Sequence, residues 1–117
     1  MTEGERIRVV DIQHAVATRF GIRLAEMTSH RRARAVARPR QVAMYLSRVL
    51  TPLSLPQIGR HFGNRDHTTV LHAIRLVPAL AAVDRDIAMA LADVLATLSP
   101  GGDPNQLALP LAARPAA

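Results

Sequence analysis

The sequence is divided most clearly at Gly63-Asn64, two residues that favour a tight turn between predicted helices. Before the turn, Ser54 is a natural N-cap for a short helix whose apolar residues share one face. After it, Asp66 occupies an N-cap position and begins a second helix, which we expect to end near Pro78. A short helix, a Gly-containing turn and a second helix form the helix-turn-helix unit, so we predict that unit here.

The second helix has an unusual N-terminus, because its first turn carries only polar side chains. Asp66 can accept hydrogen bonds from the free N–H groups, and His67, Thr68 and Thr69 follow it. The apolar face begins only behind them, at Val70, Leu71, Ile74 and Val77. These polar side chains can contact base edges, so the pattern favours a helix tip that reads a major groove. Taken alone, the four residues also fit an ordinary capped helix with two surface threonines.

Positive charge is concentrated in the part of the chain that holds this unit. The net charge is +6, and residues 19–75 contain eleven arginines against two acidic residues. The densest cluster comprises Arg31, Arg32, Arg34, Arg38 and Arg40, with no acidic residue among them. Like charges this close repel one another unless an anion offsets them, so we predict a phosphate-binding surface. A solvated charged loop is the alternative.

The remaining periodicity predicts an all-α fold, a compact bundle of about six helices with the helix-turn-helix embedded in it. The expected helices cover residues 9–20, 23–27, 39–50, 55–62, 67–78 and 84–98. Gly21 is expected to end the first helix, and Pro39 fits the first position of the third. Residues 28–37 lack apolar periodicity and are predicted to form an exposed loop.

The same reading divides the chain into three parts. Residues 1–8 are polar and are expected to form a flexible N-terminus, and residues 9–98 form the helix-turn-helix domain. Residues 99–117 are rich in Pro, Gly and Ala without periodicity, so we predict a disordered tail.

Two segments of the chain resemble a known family. Residues 66–72 (Asp-His-Thr-Thr-Val-Leu-His) and residues 31–41, which hold the arginine cluster, resemble the C-terminal DNA-binding domain of the bacterial replication initiator DnaA. The two match that domain in order and spacing, and the similarity extends from about Asp11 to about Leu98. The resemblance implies a Trp-repressor-like all-α fold and binding of double-stranded DNA at DnaA boxes.

The resemblance also implies roles for individual residues. Arg32 aligns with an arginine that the family inserts into the minor groove, Pro56 with a residue beside a thymine, and Arg48 with a contact to the DNA backbone. The predicted DNA-binding residues are Arg31, Arg32, Arg34, Arg38, Arg40, Arg48, Pro56, Arg65, Asp66, His67, Thr68 and Thr69. The sequence departs from the family at Asn64, where Gly is usual, and at His30, where Lys is common. We expect both changes to affect affinity rather than specificity.

The sequence given carries neither the ATP-binding motor domain nor the N-terminal interaction domain of that family. We therefore expect a natural stand-alone small protein, with an excised domain as the alternative. The expected function is sequence-specific binding at DnaA-box-like sites, which would regulate replication initiation or transcription by competing with the full initiator. The alternative is an interaction module whose basic face docks an acidic partner or binds DNA non-specifically, with assembly through residues 84–98.

Several other functions lack support in the sequence. The chain has no Lys, hence no Walker motif for nucleotide binding, and no nucleophile–base arrangement that indicates an enzyme. It has no Cys, and His67 and His72 are five positions apart and point to different helix faces, which argues against a metal site. We expect no cofactor, no membrane association, a monomer, and a location in the cytoplasm on the nucleoid.

Overall fold

The computed structural model describes residues 6–98, and within that range the chain forms five α-helices and one 3-10 helix. The helices are α1 (Val9–Phe20), the 3-10 helix (Leu24–Met27), α2 (Arg34–Leu50), α3 (Leu55–His61), α4 (His67–Val83) and α5 (Arg85–Leu98). The predicted all-α bundle with an embedded helix-turn-helix is confirmed. The second of the six predicted helices is a 3-10 helix, because so short a run forms too few α-helical hydrogen bonds to offset helix nucleation.

The helices enclose one apolar core with α2 at its centre. α2 contacts α1, α3 and α4, while α5 packs on α1 and α4. The largest fully buried side chains are Tyr45, Phe62, Ile12, Met27, Met44, Leu46, Ile58, Leu91 and Leu95. Because burying a Leu, Ile, Met or Phe side chain contributes about 1.5–3 kcal/mol, these apolar faces hold the bundle together.

The helix-turn-helix is built from local signals that the sequence displays. Ser54 and Gln57 form a capping box at the start of α3: Gln57 N donates to Ser54 Oγ at 3.3 Å, and Ser54 N donates to Gln57 Oε1 at 2.8 Å. After α3, Gly63 and Asn64 adopt left-handed backbone conformations, with φ of 76° and 59°. Asn tolerates that conformation better than most side chains, so the departure from Gly leaves the predicted turn intact.

Two predicted helix boundaries are wrong. α2 begins at Arg34, so Pro39 lies inside the helix and the last four residues of the predicted loop are helical. Pro39 frees the carbonyl of Ala35, which is exposed and can bond to solvent, while Val36 and Pro39 pack inward. α4 continues through Pro78 to Val83, because the helix on both sides of the proline packs on the core.

Residues 1–5 and 99–117 lie outside the described residues. The predicted disordered tail and the first part of the predicted flexible N-terminus fall there, and those two assignments stay predictions.

Candidate nucleic-acid interface

The tip of α4, residues 66–69, is held in one conformation by Asp66. Asp66 Oδ1 accepts a hydrogen bond from the backbone N–H of Thr69 at 2.9 Å and from the hydroxyl of Thr68 at 2.6 Å. These two donors, the Thr68 hydroxyl first, lower the pKa of the Asp66 carboxyl to about 2, so it is ionised at neutral pH. The predicted N-cap role of Asp66 is confirmed.

The tip is exposed and projects beyond the core. Asp66, His67, Thr68 and Thr69 are all exposed, whereas Val70, the next residue, is fully buried. The boundary between polar tip and apolar helix therefore coincides with the edge of the core. Polar side chains at this position are available to a ligand that approaches the end of the helix.

On one side, the tip borders the start of α3. An open groove of apolar character lies between the two and is lined by Arg48, Ser54, Leu55, Pro56 and His67. Arg48 Nη1 donates to the carbonyl of Leu53 at 3.2 Å, which holds the arginine over the α2–α3 connection. The structure thus brings together three residues that the sequence placed in different segments: Arg48, Pro56 and His67.

On the other side, the tip borders the basic segment, residues 31–41. His30, Arg31 and Arg32 line a depression together with Arg65 and Thr69. A neighbouring depression is lined by Arg32, Arg34, Arg38, Gln41, His72 and Leu76, so Arg32 lies where the two meet. Exposed cations therefore flank α4 along its first turns, and His72 faces this basic surface instead of the core.

The arginines of the basic segment differ in their surroundings. Arg32 and Arg34 are exposed, and Arg38 donates to the side chain of Gln41 at 3.1 Å. Arg31 forms an ion pair with Glu26 at 2.5 Å, so its charge is partly neutralised within the protein. This pairing was not expected from the sequence, because the partners lie five positions apart across an irregular connection.

Arg40 and Arg65 do not face solvent as the sequence led us to expect. Arg40 is 4% exposed and Arg65 is partly buried, and both donate hydrogen bonds to backbone carbonyls. Desolvation lowers the pKa of both guanidinium groups, and for Arg40 the nearby charge of Arg65 adds to the effect. The packing of the basic segment against the helix-turn-helix encloses these two side chains.

Sequence reasoning missed two residues that shape this surface, Gln13 and Gly59, and it assigned Gly63 only to the turn. Gln13 on α1 donates to the carbonyl of His61 at 2.8 Å and thereby satisfies the end of α3. Gly59 and Gly63 allow backbone segments to approach where a side chain would collide. A glycine inside so short a helix as α3 was the available signal for Gly59, since glycine disfavours a helix unless a close contact requires it.

The histidines are dispersed over the surface. His61 borders a groove with Val9 and Leu53, while His67 and His72 lie on different parts of α4. Among residues 6–98, no three side chains of the His, Cys, Asp or Glu type come together as metal ligands would. Within the same range, every helix is too short or too polar to cross a membrane.

This geometry defines a class of protein. A short capped helix, a tight turn and a second helix with an exposed polar tip beside cationic side chains make a helix-turn-helix domain of the DNA-binding class. The family model for the bacterial DnaA helix-turn-helix matches residues 9–77. The chain belongs to that family.

Individual relatives agree with this assignment. The chain is 53% identical over 89 residues to the chromosomal replication initiator protein DnaA of Mesorhizobium japonicum, a match that covers 76% of this chain and 18% of the relative. The protein of the same name from Zymomonas mobilis subsp. mobilis is 55% identical over 86 residues, covering 74% and 18%. The protein of that name from Sphingopyxis alaskensis is 50% identical over 94 residues, a match that covers 80% of this chain and 21% of the relative. The chain thus spans about a fifth of the length of these relatives.

Proposed function

We propose that this chain binds double-stranded DNA sequence-specifically at sites that resemble the DnaA box. The observation that carries the proposal is the position of the α4 tip between cationic side chains on both sides. A recognition helix enters the major groove with its tip or along its length. In both orientations the phosphates of the two strands lie on either side of the helix. Arg48 on one side and Arg32, Arg34 and Arg38 on the other match that arrangement of negative charge.

In this proposal the tip reads bases in the major groove. Thr68 and Thr69 offer a methyl group to thymine or a hydroxyl to a base or phosphate, and His67 can donate to a purine acceptor. Asp66 caps the helix through Oδ1, which leaves its other oxygen able to accept from a cytosine amino group. Pro56 contacts a thymine from the side of α3.

Arg32 enters the adjacent minor groove in this proposal. Its exposed position between the two depressions beside α4 supports that role, because a narrow minor groove attracts a single guanidinium. Arg34 and Arg38 contact phosphates, with Arg31 contributing less because Glu26 already neutralises part of its charge. A single domain with one reading helix binds one box as a monomer, and a DNA-binding role places the protein on the nucleoid.

The proposal is tested with a duplex that holds one DnaA box and a scrambled duplex of equal composition, each at two salt concentrations. We expect a box preference of about tenfold or more, equal to about 1.4 kcal/mol, that persists at the higher salt. His67→Ala should lose the preference, whereas His14→Ala, exposed on α1 outside this surface, should keep it. Equal affinity for both duplexes that vanishes with salt would refute base reading.

Regulation follows from the shared site. Two proteins that bind the same box exclude one another from it, so this chain competes with a full initiator for its boxes and thereby regulates replication initiation or transcription. Addition of the chain to a complex of initiator and box DNA should displace the initiator in proportion to the ratio of their affinities. No displacement at saturating chain would contradict a competitive role.

A second candidate function is docking of an acidic protein through the same cationic surface. The concentration of charge at the basic segment favours it, because electrostatic docking requires no particular base-reading side chain. The two functions differ in their sensitivity to neutral changes. His67→Ala leaves the formal charge at neutral pH unchanged, so pure electrostatic docking should ignore it, whereas box binding should not.

A further inference from the structure

Arg40 joins both ends of the connection that precedes α2. Its Nε and Nη2 donate to the carbonyl oxygen of Glu26 at 3.1 and 2.8 Å. Nη2 also donates to the hydroxyl of Ser29 at 2.9 Å, and Nη1 donates to the carbonyl of Arg31 at 3.1 Å. One planar side chain therefore fixes residues 26, 29 and 31 relative to α2.

Arg65 joins the same connection to the turn of the helix-turn-helix. Its Nη1 donates to the carbonyl of Phe62 and its Nη2 to the carbonyl of Ser29. The two backbones also touch directly, since a Cβ at Gly63 would lie 2.5 Å from the carbonyl oxygen of Thr28. The residues just before Arg32 are thus fastened to the residues just before the tip of α4.

The burial of these two guanidinium groups costs free energy of folding, and a small domain has little of it to lose. Burial of a guanidinium against carbonyl groups removes water without supplying a full counter-charge, and desolvation lowers the pKa of both arginines accordingly. Apolar side chains of similar volume would often be as stable or more so at such positions. A geometric role explains why the chain nevertheless holds two cations here.

We propose that Arg40 and Arg65 are positioning residues that set the separation between Arg32 and the tip of α4, so that both grooves are read at once. The inference rests on the proposed function, because it concerns how the two reading elements are kept in register. It replaces the phosphate contact that the sequence suggested for Arg40 and the direct DNA contact that it suggested for Arg65. Arg32 itself is exposed and one residue beyond the last carbonyl that Arg40 holds.

The two readings of Arg40 predict different binding data. A phosphate contact contributes equally to every DNA sequence. Its loss makes the slope of log affinity against log salt concentration, the salt slope, shallower by about 0.9. A positioning residue leaves the salt slope unchanged and affects only the sequence-dependent part of the affinity. The loss should also be non-additive with loss of Arg32, since both variants remove the same minor-groove contact.

The experiment uses Arg40→Lys and Arg65→Lys, because Lys keeps the charge but cannot bond to several carbonyls in one plane. Arg85→Lys, at the exposed start of α5, is the matched control. We expect the box preference to fall by about tenfold in the first two variants, with affinity for scrambled DNA within about twofold, whereas a phosphate contact, which Lys can also make, would leave the preference unchanged. In a double-mutant cycle that combines Arg40→Lys with Arg32→Ala, Arg40→Lys should lower the affinity for the box much less when Arg32 is already replaced than when it is present. A uniform loss for both duplexes, or no change in either, would overturn the proposal.

A measurement without DNA separates this inference from the proposed function. The backbone amides of Glu26 and Thr28, which donate to the carbonyls of Arg23 and Ala25, should exchange hydrogen faster in Arg40→Lys than in the wild type, while amides of α5 stay unchanged. If the wild type failed to prefer the box, the proposed function would be refuted. Faster exchange in Arg40→Lys would still show that Arg40 holds the segment between the 3-10 helix and α2 in place. Unchanged exchange would overturn the positioning role whatever the DNA data show.

A milder variant covers the case in which Arg40→Lys does not fold. Ser29→Ala removes one acceptor of Arg40 and leaves both arginines in place. It should lower the box preference by a smaller factor and raise exchange at the same amides. A folded Ser29→Ala protein with wild-type preference and wild-type exchange would count against the proposal.

Discussion

Gly59 and Arg65 approach each other more closely than a side chain on Gly59 would permit. The backbone N–H of Arg65 donates to the carbonyl of Gly59 at 3.0 Å, and a Cβ on Gly59 would lie 2.0 Å from the carbonyl oxygen of Arg65. This contact closes the turn between α3 and α4 and sets where α4 begins. It also explains a glycine inside a helix, where glycine costs about 1 kcal/mol relative to alanine.

Gly59→Ala should therefore destabilise the fold by about 3 kcal/mol, because backbone atoms cannot turn aside as a flexible side chain can. The free energy of unfolding in urea measures the effect. Gly21→Ala is the control, since Gly21 has a φ of 69° but no atom near its Cβ position, and only the left-handed conformation costs about 1 kcal/mol. Equal losses in the two variants would contradict the close contact as the cause.

The stabilising effect of Asp66 should depend on pH. Its pKa is lowered from 3.8 to about 2 in the folded protein, because Thr68 and Thr69 donate to the carboxylate. The folded pKa lies below the unfolded one, so the contribution is present above about pH 4 and is lost as the pH falls toward about 2. Asp66→Asn keeps a capping oxygen without this titration, so the difference in unfolding free energy between the two proteins should shrink over that window. A difference that stays constant would show that the carboxylate is not selectively stabilised.

Arg32 and Arg34 are both exposed, yet their loss should have different effects on DNA binding. Arg32→Ala should cost about 1–3 kcal/mol on the box and relax the preference for A·T over G·C at one position. Arg34→Ala should weaken binding to all duplexes alike and lower the salt slope by about 1. Titrations against box variants with single base-pair changes distinguish the two. Indistinguishable profiles would mean that neither arginine reads sequence.

Tyr45→Phe should stabilise the protein. The Tyr45 hydroxyl is buried without a hydrogen-bond partner among the described residues, and burial raises its pKa to about 12. A buried hydroxyl that makes no hydrogen bond costs about 1–3 kcal/mol, whereas the ring of Phe fills the same space. Urea unfolding should show a gain of about 1 kcal/mol. A loss of stability instead would indicate that the hydroxyl is bonded in solution.

Local sequence signals predicted the helix-turn-helix well. Asp66 and Ser54 cap their helices as expected, and Gly63-Asn64 forms the turn, because caps and turns depend on residues only a few positions apart. The predicted helix boundaries at Pro39 and Pro78 were wrong, because they depend on packing with residues far away in the sequence. A proline is a local helix breaker, and packing of the flanking residues on the core outweighs it in both helices. The contacts of the DNA-binding residues with DNA stay predictions.

The sequence by itself determined the fold class, the family and the residue types available at the reading surface, since periodicity, caps and charge density are written along the chain. Only the tertiary structure decided which arginine side chains are exposed to solvent and which are buried. Arg32 and Arg34 remain exposed, whereas Arg40 and Arg65 turn inward, although all four look alike in the sequence. The direction of a guanidinium depends on the acceptors within reach. Those acceptors, such as the carbonyl of Ser29 for Arg65, come from segments that only folding brings together.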